Sequence, residues 1–225
     1  MIYFDERKHG FSSSFLTKYS VTGVFGERLL TRDNFSSRKI TVEPTQVHGD
    51  TVAVVDTSDK SLVADGLITT KRGLPLSIIT ADCVPLILFD PEKKIVGLSH
   101  QGWRGLKESL PQKMVNTMTS LGSKKEAIIA VIGPSINECC YEVSSSLYND
   151  FSSAFPDFLA SFVKRSGKYW MNLQRLTYLQ LADAGISPML IDHFPFCTNC
   201  DKNRFFSYRR GDTNERMLSY IQIHR

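Results

Sequence analysis

Hydrophobic and polar positions divide this chain into short apolar segments that are separated by turn residues. About eight segments are rich in β-branched or aromatic residues and are bounded by glycine, proline or aspartate, which is typical of strands. The predicted strands are 51–55, 76–80, 84–89, 95–99, 128–132, 189–191, 205–208 and 218–223.

Helical periodicity is clearest over 110–121, where apolar residues recur at intervals of three and four. Ser109 is a candidate N-cap, Pro111 lies in the first turn, and Gly122 ends the pattern. Two further segments have a weaker helical pattern. They are 145–155 and 173–184.

Strands and helices are intermingled along the chain, which predicts an α/β (α+β) fold. At about 150 residues per domain, the length of 225 residues favours one domain. No repeat, low-complexity tract or long linker divides the sequence. We therefore predict a single layered domain over 1–225, with a mixed β-sheet core flanked by helices.

The composition indicates a folded protein, with 42% hydrophobic and 22% charged residues. The formal net charge of +4 suits an anionic small molecule as well as a polyanion. The longest apolar stretch, 74–89, is interrupted by Asp82 and two prolines and is shorter than the roughly 20 residues of a membrane span. The charged N-terminus differs from a signal peptide, so we expect a cytoplasmic protein without a membrane partner.

Three short segments each place a cysteine or histidine beside a turn at the edge of a predicted strand. Cys83 follows one strand and His100 ends another, so a hairpin-like pairing would bring the thiol and the imidazole together. His48 lies just before the strand at 51–55. The segments are TQVHGD at 45–50, TADCVP at 80–85 and SHQGWRG at 99–105.

One cysteine and two histidines can hold zinc tetrahedrally with a free fourth position, which is the arrangement of a catalytic zinc site. The three residues are too far apart in the sequence for a compact zinc finger, so the fold would have to assemble them. Spacing alone leaves open that each side chain only packs in a core strand. If they are ligands, the protein carries about one zinc ion per chain.

The remaining four cysteines lie in two segments. The segment GPSINECCYEV at 133–143 is expected to open a helix whose backbone N–H groups could cradle an anion, but for Cys139 and Cys140 we favour a loop with two small buried side chains. Cys197 and Cys200 have the C-x-x-C spacing of a redox pair or of half a zinc site. No second C-x-x-C pair exists in the sequence, so this signal is weak.

The segment RFFSYRR at 204–210 mixes basic and aromatic residues. It could bind phosphate and stack a base, or it could be an edge strand with a solvated basic face. The glycines of the RRM signature are missing, so we do not expect nucleic-acid binding.

Taken together, these segments resemble the YfiH-type family, first called polyphenol oxidase or laccase-like and later purine nucleoside phosphorylase. The order of the motifs matches over roughly residues 44–220. The resemblance implies an α/β layered fold similar to that of cysteine-hydrolase toxins. The matching motifs are QVHG at 46–49, ADG at 64–66, TADCVP at 80–85, HQGWRG at 100–105, GP at 133–134, CYEV at 140–143 and FSYRR at 206–210.

The resemblance also implies that zinc is bound through His48, Cys83 and His100. These three residues and Asp82 are then the catalytic set, with Asp82 as a proton shuttle. The implied reactions are phosphorolysis of adenosine, inosine, guanosine and methylthioadenosine, and deamination of adenosine.

Substrate binding is assigned to four further side chains in the same motifs. Arg104 and Arg209 are expected to hold phosphate, because a planar guanidinium matches its oxygen atoms. Gln46 and Tyr141 are expected to contact the substrate. The expected partners are a purine nucleoside and phosphate, without nucleic acid, and we expect a monomer or a homodimer.

Two alternatives use the same residues differently. A true multicopper laccase needs roughly ten histidines for its copper centres, and this chain has five, so zinc is favoured over copper. A metal-free cysteine hydrolase would use Cys83 as nucleophile and His100 as base, on an amide such as a peptidoglycan precursor. Metal content discriminates between the hydrolase and the zinc enzyme.

Overall fold

The computed structural model describes residues 1–36, 41–57 and 61–224. The strands are β1 Ile2–Asp5, β2 Gly10–Ser13, β3 Val21–Gly26, β4 Val52–Val54, β5 Gly66–Thr69, β6 Leu76–Thr80, β7 Val84–Asp90, β8 Ile95–Gln101, β9 Ile129–Ile132, β10 Glu142–Val143, β11 Phe162–Arg165, β12 Lys168–Met171, β13 Ile191–His193 and β14 Met217–Ile223. The α-helices are α1 Ser14–Thr17, α2 Arg32–Ser36, α3 Trp103–Lys107, α4 Leu110–Ser120, α5 Ser145–Ala154 and α6 Leu173–Asp183.

A six-stranded sheet in the order β13-β9-β7-β8-β5-β4 forms the centre of the fold. Its inner neighbours are antiparallel, whereas β13 and β4 run parallel to the strands beside them. In the β7–β8 pair, Pro85 lies opposite His100 and Val84 opposite Gln101. This register brings the turn before β7 to the end of β8, where two of the predicted ligands lie.

Both faces of the central sheet are covered. Every residue of β7 is buried, and its side chains alternate between the two faces. Leu86 and Leu88 pack in a cluster with Met114 of α4, whereas Ile87 and Phe89 pack in a second cluster against the five-stranded antiparallel sheet β1-β2-β3-β14-β6. Burying each such side chain stabilises the fold by roughly 1.5–3 kcal/mol. The mixed α/β architecture is confirmed, with helices on one face and a second sheet on the other.

The three predicted helices are observed as α4, α5 and α6. Gly122 adopts a φ of +100°, a left-handed conformation that ends α4 at little steric cost. Ser109 is the N-cap of α4 by position, but its side chain forms no capping hydrogen bond. Pro111 lies in the first turn as predicted. The periodicity therefore identified the helix, and two of its three predicted end signals are confirmed.

One predicted strand is wrong, and a second begins two residues later than predicted. Residues 205–208 form a loop, because the N–H of Phe205 bonds to the carbonyl of Asp201 and the N–H of Ser207 to the Asp212 carboxylate. Phe205 and Phe206 are buried without joining a sheet, whereas Tyr208 is exposed. Residues 189–191 also differ, since Pro188–Leu190 forms a 3₁₀ turn and the strand begins only at Ile191.

The segment after β9 also differs from its prediction. Residues 138–140 form a turn, which is followed by the short strand β10 rather than by a helix. This described segment therefore lacks the helix N-terminus that we expected to bind an anion. The thiol of Cys139 is exposed and that of Cys140 partly exposed, so neither is the small buried side chain that we favoured.

No helix in the described ranges combines the length and the apolar character needed to cross a bilayer.

Candidate active site

The structure brings His48, Cys83 and His100 together at one edge of the central sheet. His48 lies in the loop before β4, Cys83 in the turn between β6 and β7, and His100 near the end of β8. One ligand atom from each residue lies within 4.8 Å of the others. The expected proximity of the Cys83 thiol and the His100 imidazole is confirmed, and its cause is the antiparallel β7–β8 pairing.

Asp65 organises both histidines, although the sequence analysis gave it no role. Its buried carboxylate accepts a hydrogen bond from Nδ1 of His100 at 2.8 Å. It also accepts bonds from the backbone N–H groups of Val47, His48 and Gly49 at 3.1, 3.1 and 2.7 Å. A single carboxylate therefore fixes the His100 ring and the backbone of the His48 loop, as carboxylates behind metal-ligating histidines do.

The backbone around the ligands is tightly constrained. His48 has a φ of 60°, in the left-handed region that few residues other than glycine adopt. A Cβ atom at Gly102 would lie 3.1 Å from the ring of His48 and 3.4 Å from Sγ of Cys83. Glycine at this position leaves the space into which the thiol and the imidazole fit.

The electrostatics of the site favour a thiolate. Burial raises the pKa of Cys83, but the neighbouring imidazoles of His100 and His48 lower it by more, so its net shift is downward. Burial lowers the pKa of His100, whereas Cys83 and Asp65 raise it by more. These shifts favour a thiolate–imidazolium pair between the half-buried Cys83 and the buried His100. Such a pair could coordinate a metal after losing the imidazolium proton or could act as a nucleophile and acid.

Asp82 lies beside Cys83, but its carboxylate is occupied by neighbouring segments. Oδ1 accepts from the hydroxyl of Thr198 at 2.6 Å, and Oδ2 accepts from the hydroxyl of Ser207 at 3.0 Å and from the N–H of Arg209 at 2.8 Å. Asp82 itself has a φ of 87°. These contacts favour a positioning role, and the proton-shuttle role of Asp82 stays a prediction.

A cavity of about 740 Å³ adjoins the three ligands. All eight residues of the predicted site line it. Tyr141 forms part of the wall, with the guanidinium of Arg209 at 4.9 Å from the centre of its ring. The guanidinium of Arg104 lies 4.8 Å from the centre of the Trp103 ring, and Arg104 forms no ion pair with any residue that the structure describes. Its charge is therefore available to an anion in the cavity.

Gln46 lines the same cavity, but its amide is paired with the backbone. Its Nε2 donates to the carbonyl of Ile79, and its Oε1 accepts from the N–H of Ile79, both at 2.9 Å. These two hydrogen bonds to β6 anchor the loop that carries His48. The geometry favours anchoring over substrate contact, which stays a prediction for Gln46.

Sequence reasoning missed several residues of this cavity because they come from distant segments. Two additional arginines face the cavity, Arg32 and Arg216, together with Tyr208. Arg32 is paired with Glu43 at 2.6 Å, and Arg216 donates to the backbone carbonyl of Glu215 at 2.7 Å. The only sequence signal for Asp65 was its place in the ADG motif at 64–66.

Comparisons with known proteins show the family to which this chain is similar. Residues 24–224 match the model of a family described as multi-copper polyphenol oxidoreductase laccase. The "Purine nucleoside phosphorylase" of Aquifex aeolicus is 34% identical over 199 residues, which cover 88% of this chain and 90% of the relative.

Two further relatives align over less of their length. The "Purine nucleoside phosphorylase YlmD" of Bacillus subtilis is 37% identical over 162 residues, which cover 70% of this chain but only 58% of the relative. The "Adenosine deaminase RL5" of an unknown prokaryotic organism is 32% identical over 185 residues, covering 77% of this chain and 71% of the relative.

Solved structures share the fold. YlmD from Geobacillus stearothermophilus superposes with a TM-score of 0.90, covers 99% of both chains and is 24% identical. The hypothetical protein YfiH from Bacillus licheniformis has a TM-score of 0.82 and 27% identity, covering 90% of this chain and 92% of its own. At the level of fold, the resemblance inferred from the sequence motifs is confirmed.

Proposed function

Because this chain belongs to the family described as multi-copper polyphenol oxidoreductase laccase, whose relatives include named purine nucleoside phosphorylases and an adenosine deaminase, we propose that it is a zinc-dependent purine nucleoside enzyme. Its proposed reactions are phosphorolysis of adenosine, inosine, guanosine and methylthioadenosine, and deamination of adenosine. The observation that carries the proposal is the His48, Cys83 and His100 group at the base of an arginine-lined cavity.

The donor set fits zinc. Two imidazoles and a thiolate are ligands that zinc accepts, and their spacing is suited to a single ion. Because Nδ1 of His100 is bonded to Asp65, its Nε2 is the nitrogen left for a metal. When bound, zinc with three protein ligands keeps a fourth position at which it polarises a substrate oxygen or activates water.

The chain's own residues would position both substrates. Arg104 and Arg209 would hold phosphate through charge-assisted hydrogen bonds. The pKa of Tyr141 is raised to about 12, chiefly by burial, so its hydroxyl stays protonated and can donate a hydrogen bond to the nucleoside. Trp103 lies in the same wall and offers an aromatic face to a purine. Asp82 would keep the Arg209 backbone in place.

Copper oxidation is a weaker proposal for this chain despite the family's description. Of its five histidines, His48 and His100 reach the site, whereas His224 bonds to Thr22 at 2.8 Å and His193 lies in β13. A trinuclear copper centre needs more imidazoles than this cavity supplies from the described residues. The metal that we propose is therefore zinc.

A second candidate is favoured by one observation, that His100 lies close to the Cys83 thiol and is hydrogen-bonded to Asp65. Cys83, His100 and Asp65 have the nucleophile, base and orienting carboxylate of a cysteine hydrolase. An enzyme of this kind would cleave an amide, such as that of a peptidoglycan precursor, without a metal.

We also propose a cytoplasmic location, where free thiols persist.

The test is a turnover assay on zinc-loaded protein with each of the four nucleosides, with and without phosphate. We expect free base only when phosphate is present, and inosine from adenosine without phosphate. Cys83→Ala protein prepared in the same way controls for contaminating phosphorylase. A zinc-loaded protein that converts none of the nucleosides would refute the proposal, and nucleoside turnover that survives complete zinc removal would refute its dependence on zinc.

A further inference from the structure

The four cysteines that the active site does not use converge at one place. Cys139 and Cys140 lie in the turn before β10, and Cys197 and Cys200 lie in the loop after β13. Sγ of Cys200 is 3.5 Å from Sγ of Cys139 and 3.3 Å from Sγ of Cys140. All four sulfur atoms lie within 4.8 Å of one another. We call this group the four-cysteine cluster.

The backbone around the four-cysteine cluster is ordered by its own hydrogen bonds. Ser135 and Cys197 form a parallel bridge, and the N–H of Thr198 donates to the carbonyl of Ser135 at 3.0 Å. Burial raises the pKa of Cys197, but backbone N–H groups of Asn137, Cys200 and Asn199 donate to its sulfur and make the net shift downward. Backbone N–H groups aimed at a sulfur stabilise a thiolate, the form that ligates metals.

We propose that the four-cysteine cluster is a second metal site, which holds one zinc ion through four thiolates. At a zinc–sulfur distance of about 2.3 Å, tetrahedral geometry puts ligand sulfurs about 3.8 Å apart. The distances of 3.5 and 3.3 Å from Cys200 to Cys139 and Cys140 are slightly shorter than this value, and all four sulfurs lie within 4.8 Å of one another. A site closed by four protein ligands leaves no position for substrate, so its role is structural. Each thiol that is protonated beforehand releases its proton when the ion binds.

The arrangement of the sulfurs favours a metal over two disulfides. Cys200 lies at nearly the same distance from Cys139 and from Cys140, and one sulfur cannot bond to both. A divalent cation at their common centre could contact all four sulfurs at once.

The proposed ion would join two loops that reach the active-site cavity. Tyr141, in the cavity wall, directly follows Cys140. Thr198, between the other two ligands, donates its hydroxyl to Asp82 at 2.6 Å, next to Cys83. The guanidinium of Arg210 also donates to the carbonyl of Thr198 at 3.0 Å. The second ion would therefore hold a wall of the first site without touching the substrate.

The experiment is metal counting on the intact protein purified under reducing conditions, with Cys83→Ala and Cys200→Ser as reciprocal variants. We expect about two zinc ions per wild-type chain and about one in each variant. The ion retained in Cys83→Ala tests the four-cysteine cluster alone, and its presence does not depend on nucleoside turnover. Loss of all zinc from Cys83→Ala would overturn the proposal.

Cobalt(II) substitution gives a second readout. In the Cys83→Ala background, cobalt in the four-cysteine cluster should give intense thiolate charge-transfer absorption and tetrahedral d–d bands. Adding Cys139→Ser to this background should abolish or strongly weaken both signals, and because Cys139 is exposed, its serine replacement is sterically tolerated. Two disulfides found by mass spectrometry of freshly isolated protein, or iron in place of zinc, would also contradict the proposal.

Discussion

The two cysteine-containing sites of this protein are built in opposite ways. At the active site, one thiol and two imidazoles are held by a buried carboxylate, Asp65, which bonds both to a histidine ring and to the loop that carries the other histidine. At the four-cysteine cluster, four thiols from a turn and a loop converge, and backbone N–H groups donate to the sulfur of Cys197. The first group lines a cavity of about 740 Å³, and Cys139, Cys197 and Cys200 of the second line another cavity of about 960 Å³. The difference is that only the second group supplies four protein ligands.

This difference separates two uses of a metal. Three ligands beside a cavity leave a coordination position for substrate, and a carboxylate behind the histidine tunes its basicity. Four thiolates complete the coordination shell, so a metal held in this way can only stabilise the fold. Substitution of a ligand in the active site should therefore lower catalytic activity. Substitution in the four-cysteine cluster should lower thermal stability more than catalytic activity.

The largest expected effect is that of Cys83→Ala. A bound catalytic metal supplies several kcal/mol of transition-state stabilisation, so kcat/KM should fall by at least about 10³-fold. Steady-state assays with inosine and phosphate measure the loss, and circular dichroism checks that the fold is retained. Residual activity within tenfold of wild type would remove Cys83 from the catalytic set.

Asp65→Asn should have the next largest effect. The amide keeps the shape of the carboxylate, but its N–H₂ group meets the backbone N–H groups that now donate to Asp65. Loss of such a carboxylate typically lowers metal affinity or activity by about 10–100-fold. Zinc affinity measured by competition with a chelator is the readout. Asp150→Asn, an exposed aspartate paired with Lys107, is the control and should leave the affinity unchanged.

Arg104→Ala should lower turnover without removing zinc. A hydrogen bond from a charged group contributes about 1.5–3 kcal/mol, which corresponds to roughly a tenfold or larger rise in the phosphate KM. Varying phosphate at saturating nucleoside measures this directly. The exposed Arg7 provides the matched control, Arg7→Ala. An unchanged phosphate KM in Arg104→Ala would show that this arginine is only an exposed residue at the start of a helix.

Cys200→Ser should have the smallest effect on chemistry. The residue lies outside the cavity of the active site, so kcat/KM should change by less than about tenfold, or 1.4 kcal/mol. The melting temperature should fall, because a structural metal contributes its binding free energy to folding. Differential scanning fluorimetry compares both proteins with and without chelator. A loss of activity as large as that of Cys83→Ala would remove the distinction between the two sites.

Local patterns in the sequence were sufficient for much of the fold. The spacing of apolar residues identified α4, α5 and α6, and the run at 84–89 predicted β7, in which every residue is buried. Residue chemistry singled out Cys83 and His100 as neighbours. These features depend on interactions between residues that are close in the sequence, or on the side-chain type itself, so they can be recognised without the fold.

Other features were decided by tertiary structure alone. The aromatic pair Phe205–Phe206 predicted a strand, yet it lies in a loop because hydrogen bonds to Asp201 and Asp212 turn the chain. Residues 10–13 have the sequence GFSS, which lacks an alternating pattern, yet they form β2 because neighbouring strands supply its partners. Local propensity gives way when long-range packing contributes more free energy.

The two sites show the same division most clearly. The residue types of the chain determined that thiol and imidazole ligands exist, and the TADCVP and SHQGWRG segments indicated which of them work together. Only the fold decided that Asp65 supports both histidines, and that a Cys-Cys pair and a C-x-x-C pair about sixty residues apart form one cluster. The physical reason is that these contacts form between loops that the order of strands in the sheet brings together. The spacing of residues along the sequence does not show which loops become neighbours.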